Sequence, residues 1–293
     1  QPASAGRNWA LEAASARAHH AGMIYETYVP PPPLNAFIAN FWHWEGDNPG
    51  HAKDTVMASS RLAILINLKE DALDWYGGEN FADNNRLKGM ALCGMHTAAF
   101  AINAYQPRMM GVDFKPGGAA SFFRAPMSEF QNNHISLQDI WGPDAERIHQ
   151  HLIQTPSPRD RFAILQQALL AAAPRDLDFH PAVAVAMTRL ASGRVCRVAA
   201  LAAEAEISHK KFIRLFMDEV GVTPKLYVRM TRFQNLLDRV WNAPSVDWAE
   251  AAARHGYFDQ PHLIREFREF SGFTPAQYMT MRGPYTNHVP LTG

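Results

Sequence analysis

Two arginines, Arg214 and Arg265, stand 51 residues apart in matching company: Ile-Arg-Leu-Phe at 213–216 and Ile-Arg-Glu-Phe at 264–267. A guanidinium that reaches a base edge can fork onto guanine O6 and N7, which makes arginine the commonest specific reader of duplex DNA. The neighbours fit the same chemistry. Gln260 has the paired donor and acceptor that adenine requires, and Ile213 and Ile264 are apolar enough to meet thymine methyl groups. Lys210, Lys211 and Arg268 are suited to neutralising phosphates, which adds affinity with little sequence preference. His209 and His262 complete the set of candidate contacts, with packing at a turn left open as a second role for His262.

Such residues act only if helices hold them outward. The match between the two arginines belongs to an internal repeat: Gly221-Val-Thr-Pro224 returns as Gly272-Phe-Thr-Pro275, Tyr227 and Met230 as Tyr278 and Met281, and Ala200 and Ala202 align with Ala251 and Ala253, all at an offset of 51. Each unit reads as a short alanine-rich helix (198–205, 248–254), a turn, and a second helix (209–220, 260–270). Ser208 and Asp259 are N-cap residues, and Gly221 and Gly272 are stops. Phe212, Leu215, Phe216 and Val220 fall on one helical face, as do Leu263, Phe267 and Phe270, so the basic residues fall on the other. This is the helix-turn-helix arrangement. Thr223-Pro224 and Thr274-Pro275 each begin a further helix, and the first of these, 225–241, would join the two units rigidly.

Upstream, 23–115 reads as β-rich: short apolar runs at 23–29, 36–44, 61–68, 98–105 and 109–115 lie between Gly, Asn, Asp and Pro punctuation, as in a sandwich or barrel. Helical spacing follows over 117–124, 143–153 and 158–172. The expected organisation is α+β: 1–22 a leader or tag with a start at Met23, 23–175 a β-rich domain with trailing helices, 181–282 the tandem helix-turn-helix domain, and 283–293 a tail. Net charge is zero over the chain, but 181–293 holds 14 Lys and Arg against 10 Asp and Glu. That asymmetry permits nucleic-acid binding in the C-terminal part.

Other chemistries find less support. Two cysteines, Cys93 and Cys196, give neither a disulfide scaffold nor a zinc ribbon. His149 and His151 point to different sides of one helix, and His43, His51, His96 and His134 are scattered, so no metal or other cofactor is expected. No nucleophile elbow, phosphate loop or carboxylate pair suggests catalysis, and no apolar run is long enough to span a membrane. Trp42, His43, Trp44 and Arg61 are the candidates for a small-molecule pocket, with core packing or a surface ion pair as the alternatives.

The segment 256–278, GYFDQPHLIREFREFSGFTPAQY, closely resembles the signature of the AraC/XylS family of bacterial regulators, and the first unit fits the same pattern. Asp218 and Glu219 depart from it, standing where the family often carries lysine, and weaken the first unit's electrostatic grip. More weakly, 114–123 and 136–142 are similar to the sensor domain of one branch. The resemblance implies a barrel-like, cupin-like N-terminal domain that senses an effector or mediates homodimerisation, with double-stranded promoter DNA and RNA polymerase as partners; the two cysteines, far apart and without partner spacing, suit a reducing, cytoplasmic setting. Two other readings remain open: a constitutive DNA-binding regulator whose N-terminal domain only dimerises, and a DNA-targeted enzyme with chemistry in the barrel.

Overall fold

The computed structural model describes residues 23–173, 177–191 and 198–291; the leader, Cys196 and part of the expected domain boundary lie outside the described residues. Ten strands of the N-terminal region are β1 (Ile24–Tyr28), β2 (Ile38–Glu45), β3 (Lys53–Val56), β4 (Ala63–Asn67), β5 (Leu73–Gly77), β6 (Asp83–Leu87), β7 (Met90–Cys93), β8 (Phe100–Asn103), β9 (Arg108–Phe114) and β10 (His134–Ser136). Helices α1 (Leu137–Trp141), α2 (Pro143–Gln154) and α3 (Pro158–Ala172) trail them. With a C-terminal strand β11 (His288–Leu291), two open antiparallel sheets result, with orders β1-β2-β9-β4-β7-β10 and β11-β3-β8-β5-β6; neither closes on itself.

Alternation along β2 assigns the faces of the six-stranded sheet. Phe41 stacks on Phe162 of α3, and His43 Nε2 lies 2.9 Å from Arg161 Nη1 of the same helix. Phe41 and His43 therefore face the helices, and Trp42 and Trp44 face the other way. Gly111, opposite Trp42, has to be glycine, because a Cβ there would sit 2.5 Å from the Trp42 ring and from the Ile64 carbonyl.

The C-terminal region is helical: α4 (Pro181–Ala191), α5 (Val198–Glu204), α6 (His209–Val220), α7 (Pro224–Val240), α8 (Trp248–Arg254), α9 (Gln260–Ser271) and α10 (Pro275–Met281). The sequence capping signals operate as physical caps. The side chains of Ser208, Thr223, Asp259 and Thr274 each accept from a backbone amide three residues on, and Gly221 and Gly272 end α6 and α9 with left-handed φ of 102° and 79°.

The segment 283–293, set apart above as a tail, is not loose where it is described. His288–Leu291 forms β11, which pairs antiparallel with β3 and so completes the five-stranded sheet of the N-terminal region. The Tyr278 hydroxyl donates to the Thr286 carbonyl at 2.7 Å and Trp241 Nε1 to Gly283 at 3.2 Å, anchoring the path of the returning chain. Two further bonds join the regions at one residue: the Ala58 amide donates to Phe270 of α9, and Gln234 of α7 donates to the Ala58 carbonyl, each at 2.9 Å. Helix α6 also packs on the two single-turn helices Ala119–Phe122 and Met127–Phe130.

Candidate nucleic-acid interface

Helices α6 and α9 each bury one apolar stripe. Phe212, Phe216 and Val220 of α6, and Leu263, Phe267 and Phe270 of α9, are fully buried. The opposite faces carry the charges. His209, Lys210, Lys211 and Arg214 are exposed on α6, and Gln260, Arg265 and Arg268 on α9. Arg214 leaves 86% of its side chain exposed, and its nearest counter-charge is Asp218, 3.8 Å away one turn on. The acidic departure noted above is thus a direct competitor for the arginine. Ile213 and Ile264 are half-buried, Ile264 packing against the core.

His262 serves the turn. Its Nδ1 accepts from the Phe258 amide at 3.3 Å, its ring stands edge-on to Tyr257, and its Nε2 lies 3.6 Å from Glu266. Glu266, not among the residues singled out from the sequence, positions α9. It is 2% exposed and gathers Arg232 and Arg229 of α7. Its signal was its position: it falls at the i+3 place of the apolar stripe that runs from Leu263 through Phe267 to Phe270, where a carboxylate must be paired. Arg229 also reaches Glu269, and Arg232 donates to the Gly256 carbonyl in the turn. Lys225, Arg229, Arg232 and Arg265 line an open cleft of about 830 Å³ beside these carboxylates.

The repeat is not uniform. Between the second helices and the segments after them the offset is 51, with Ser208 equivalent to Asp259 and Gly221 to Gly272. The first helices match at 50 instead. The Ile207 amide bonds to Ala202 and the Tyr257 amide to Ala252, and Ala202 and Ala252 are the buried alanines. The alignment of Ala200 and Ala202 with Ala251 and Ala253 is therefore shifted by one. The second turn contains one more residue than the first. Phe258 occupies that extra place, 91% exposed at the head of α9.

The candidate ligand residues of the N-terminal region separate. Trp42 and Trp44 share the face opposite the helices, where Trp44 meets Tyr285 edge-on. His43 is on the far face; burial first, and the Arg161 charge second, lower its pKa to about 4. Arg61 is not a surface group. Burial lowers its pKa, and the charges of Asp113 and of Asp238 on α7 oppose that shift, which places Arg61 at the junction with the C-terminal helices. Burial likewise pushes the Cys93 thiol up to about 12. His149 is buried against the Asn67 carbonyl while His151 is exposed, so the two do diverge. His96 and His134, by contrast, lie side by side, their ring centroids 4.8 Å apart, and are not scattered in space.

Residues 201–281 match the family described as a helix-turn-helix domain. This region is an AraC-type helix-turn-helix domain. Ahead of the AraC-type domain, residues 26–136 match a family described as a domain of unknown function, DUF6597. No curated protein matches the chain. Similar solved structures include ToxT from Vibrio cholerae. The wild-type protein of strain SCE256 with bound unsaturated fatty acid is 11% identical, over 89% of this chain and 96% of that one, with a TM-score of 0.42. A 1.65 Å ToxT structure is 8% identical over 89% and 100%, at 0.43. ToxT of strain O395 bound to (E)-4-(8-methylnaphthalen-1-yl)but-3-enoic acid is 12% identical over 88% and 98%, at 0.36. No helix among the described residues is long and apolar enough to cross a membrane.

Proposed function

We propose that this chain regulates transcription by sequence-specific binding of double-stranded promoter DNA through α6 and α9, under control of a small-molecule effector held by the N-terminal domain. One observation carries the reading: Arg214 and Arg265, equivalent residues of two capped helices, both project to solvent while the opposite faces are buried. Helix α7 carries both units, and the Arg229–Glu266–Arg232 cluster locks α9 to it. Two fixed helices on one carrier suit adjacent major-groove faces, which recur about 34 Å apart. In this reading Arg214, Arg265 and Gln260 contact bases, Ile213 and Ile264 contact thymine methyls, and His209, Lys210, Lys211 and Arg268 contact the phosphate backbone. His262 sets the turn.

Trp42 and Trp44, on the face away from the helices, are the residues that support an effector site. The contact of α6 with the N-terminal region, and the bonds at Ala58, give such an effector a route to the DNA-binding helices. RNA polymerase and a second copy of the chain are the protein partners in this reading, in a cytoplasmic setting. Fluorescence anisotropy with DNA from the chain's own promoter, at fixed salt, tests it. Binding that weakens in Arg214→Ala and Arg265→Ala supports the assignment; unchanged binding in both rejects it.

A further inference from the structure

The interior of the N-terminal region holds a second cluster with its own chemistry. Cys93 at the end of β7 and His134 at the start of β10 are direct partners in an antiparallel pair. Their side chains therefore leave the sheet on the same face. His96, two residues beyond Gly94, is fixed by an isolated bridge in which the Ser59 amide donates to its carbonyl at 2.9 Å. One ligand atom from each of Cys93, His96 and His134 lies within 4.8 Å of the others.

We propose that Cys93, His96 and His134 form a binding site for a thiophilic metal ion, copper(I) by preference. Two buried atoms point to a missing partner. His96 is 3% exposed and His134 5%, yet His96 Nε2 and His134 Nδ1 have no hydrogen-bond partner among the described residues. A buried polar nitrogen without a partner is costly, and a coordinated cation removes that cost. Aromatic rings line the two histidines: the Phe100 ring lies 4.0 Å from that of His96, and the Trp75 ring 4.9 Å from that of His134.

The donor set selects the ion. One sulfur and two imidazole nitrogens suit soft or borderline cations, whereas magnesium and calcium need oxygen ligands. A thiolate and two neutral imidazoles sum to one negative charge. A monovalent cation makes the buried unit neutral, while zinc(II) would leave a net positive charge in an apolar interior. Binding forms the metal–sulfur bond and releases the thiol proton to solvent. Metal–ligand lengths near 2.0–2.3 Å place donor atoms about 3.3–3.8 Å apart, so closure from the observed spacing requires side-chain shifts of about 1 Å. The backbone is already tight: a Cβ at Gly94 would sit 1.7 Å from the Phe130 carbonyl oxygen. Cys93 and His96 carry a ligand-like spacing, but the third ligand is too distant in sequence for that spacing to reveal the site.

The test uses the full chain, reduced and metal-free, titrated with copper(I) against a chromophoric chelator. One equivalent withheld from the chelator, and affinity at least tenfold lower in Cys93→Ser and in His134→Gln, is the expected result. No competition by the parent chain, or parent-like affinity in both variants, overturns the proposal. X-ray absorption of the loaded parent chain needs no variant. One sulfur and two imidazole nitrogens around copper supports the site, and a shell without sulfur overturns it. Neither measurement involves DNA, so its outcome is separate from that of the regulatory reading.

Discussion

Arg232 Nη2 lies 2.8 Å from both carboxylate oxygens of Glu266, a residue of α9 that points inward, away from the exposed basic face. Arg229 adds a bond of 2.9 Å to the same group. The cluster is half-wet on the arginine side, with Arg229 and Arg232 28% and 21% exposed. Replacing Glu266 by alanine frees two guanidinium groups that water can partly reclaim, so the expected loss is about 2–3 kcal/mol, toward the upper range for charged hydrogen bonds. Urea unfolding measures it. A loss within error of zero would show that the cluster does not hold α9.

Base-reading arginines and phosphate-neutralising residues should separate by assay. Arg214→Ala and Arg265→Ala should each cost about 1–3 kcal/mol on the chain's own operator and less on unrelated DNA. Lys210→Ala and Arg268→Ala should weaken both DNAs alike and lower the salt slope by about one. Anisotropy over a salt series distinguishes the two behaviours, and equal losses on both DNAs for the arginines would remove them from base readout.

Asp218 sits one turn from Arg214 and draws it along the helix. Neutralising it frees the arginine and removes a charge that repels phosphate. Exposed pairs of this kind are worth about 0.3–1 kcal/mol, so Asp218→Asn should tighten DNA binding roughly twofold to fivefold. Weaker binding would mean that Asp218 orders Arg214 for contact instead.

Stability should fall in mild acid. His43 in the folded chain stays neutral down to about pH 4, held there by burial and Arg161. Unfolded, it takes up a proton near its ordinary value of about 6.5. Between these values the unfolded chain binds more protons, so the folded state loses stability as pH drops from 7 toward 4. The urea midpoint should decline over that range, and His43→Gln, which keeps an acceptor for Arg161, should flatten part of the decline. An unchanged slope in the variant would place the titration elsewhere.

The helical half was legible because its signals are local. Ser208, Thr223, Asp259 and Thr274 act within three residues of themselves, and the buried stripe of α9 is readable at helical spacing. The one-residue change between Ala202 and Ala252 was hidden because alanine-rich helices align equally well at either offset; only the burial of particular alanines settles it. The sheets were less legible. Runs at β1, β2, β4, β8 and β9 were apparent, but β6 is the polar, largely exposed segment Asp83–Leu87, an edge strand with no apolar run to announce it. The meeting of Cys93 with His134 depends on register across strands 41 or more residues apart along the chain, which no spacing rule encodes.

The return of His288–Leu291 to β3 makes the two halves topologically interdependent. Strand β3 pairs with β8 on one side, and the other side is covered only by residues that follow the whole helical region. A fragment ending before the DNA-binding helices would therefore carry a raw sheet border, the kind that recruits a second chain. Self-association of such a fragment would report the bared border and not a native dimer. Conversely, any swing of the C-terminal helices away from the N-terminal half must either carry β11 along or unzip it from β3.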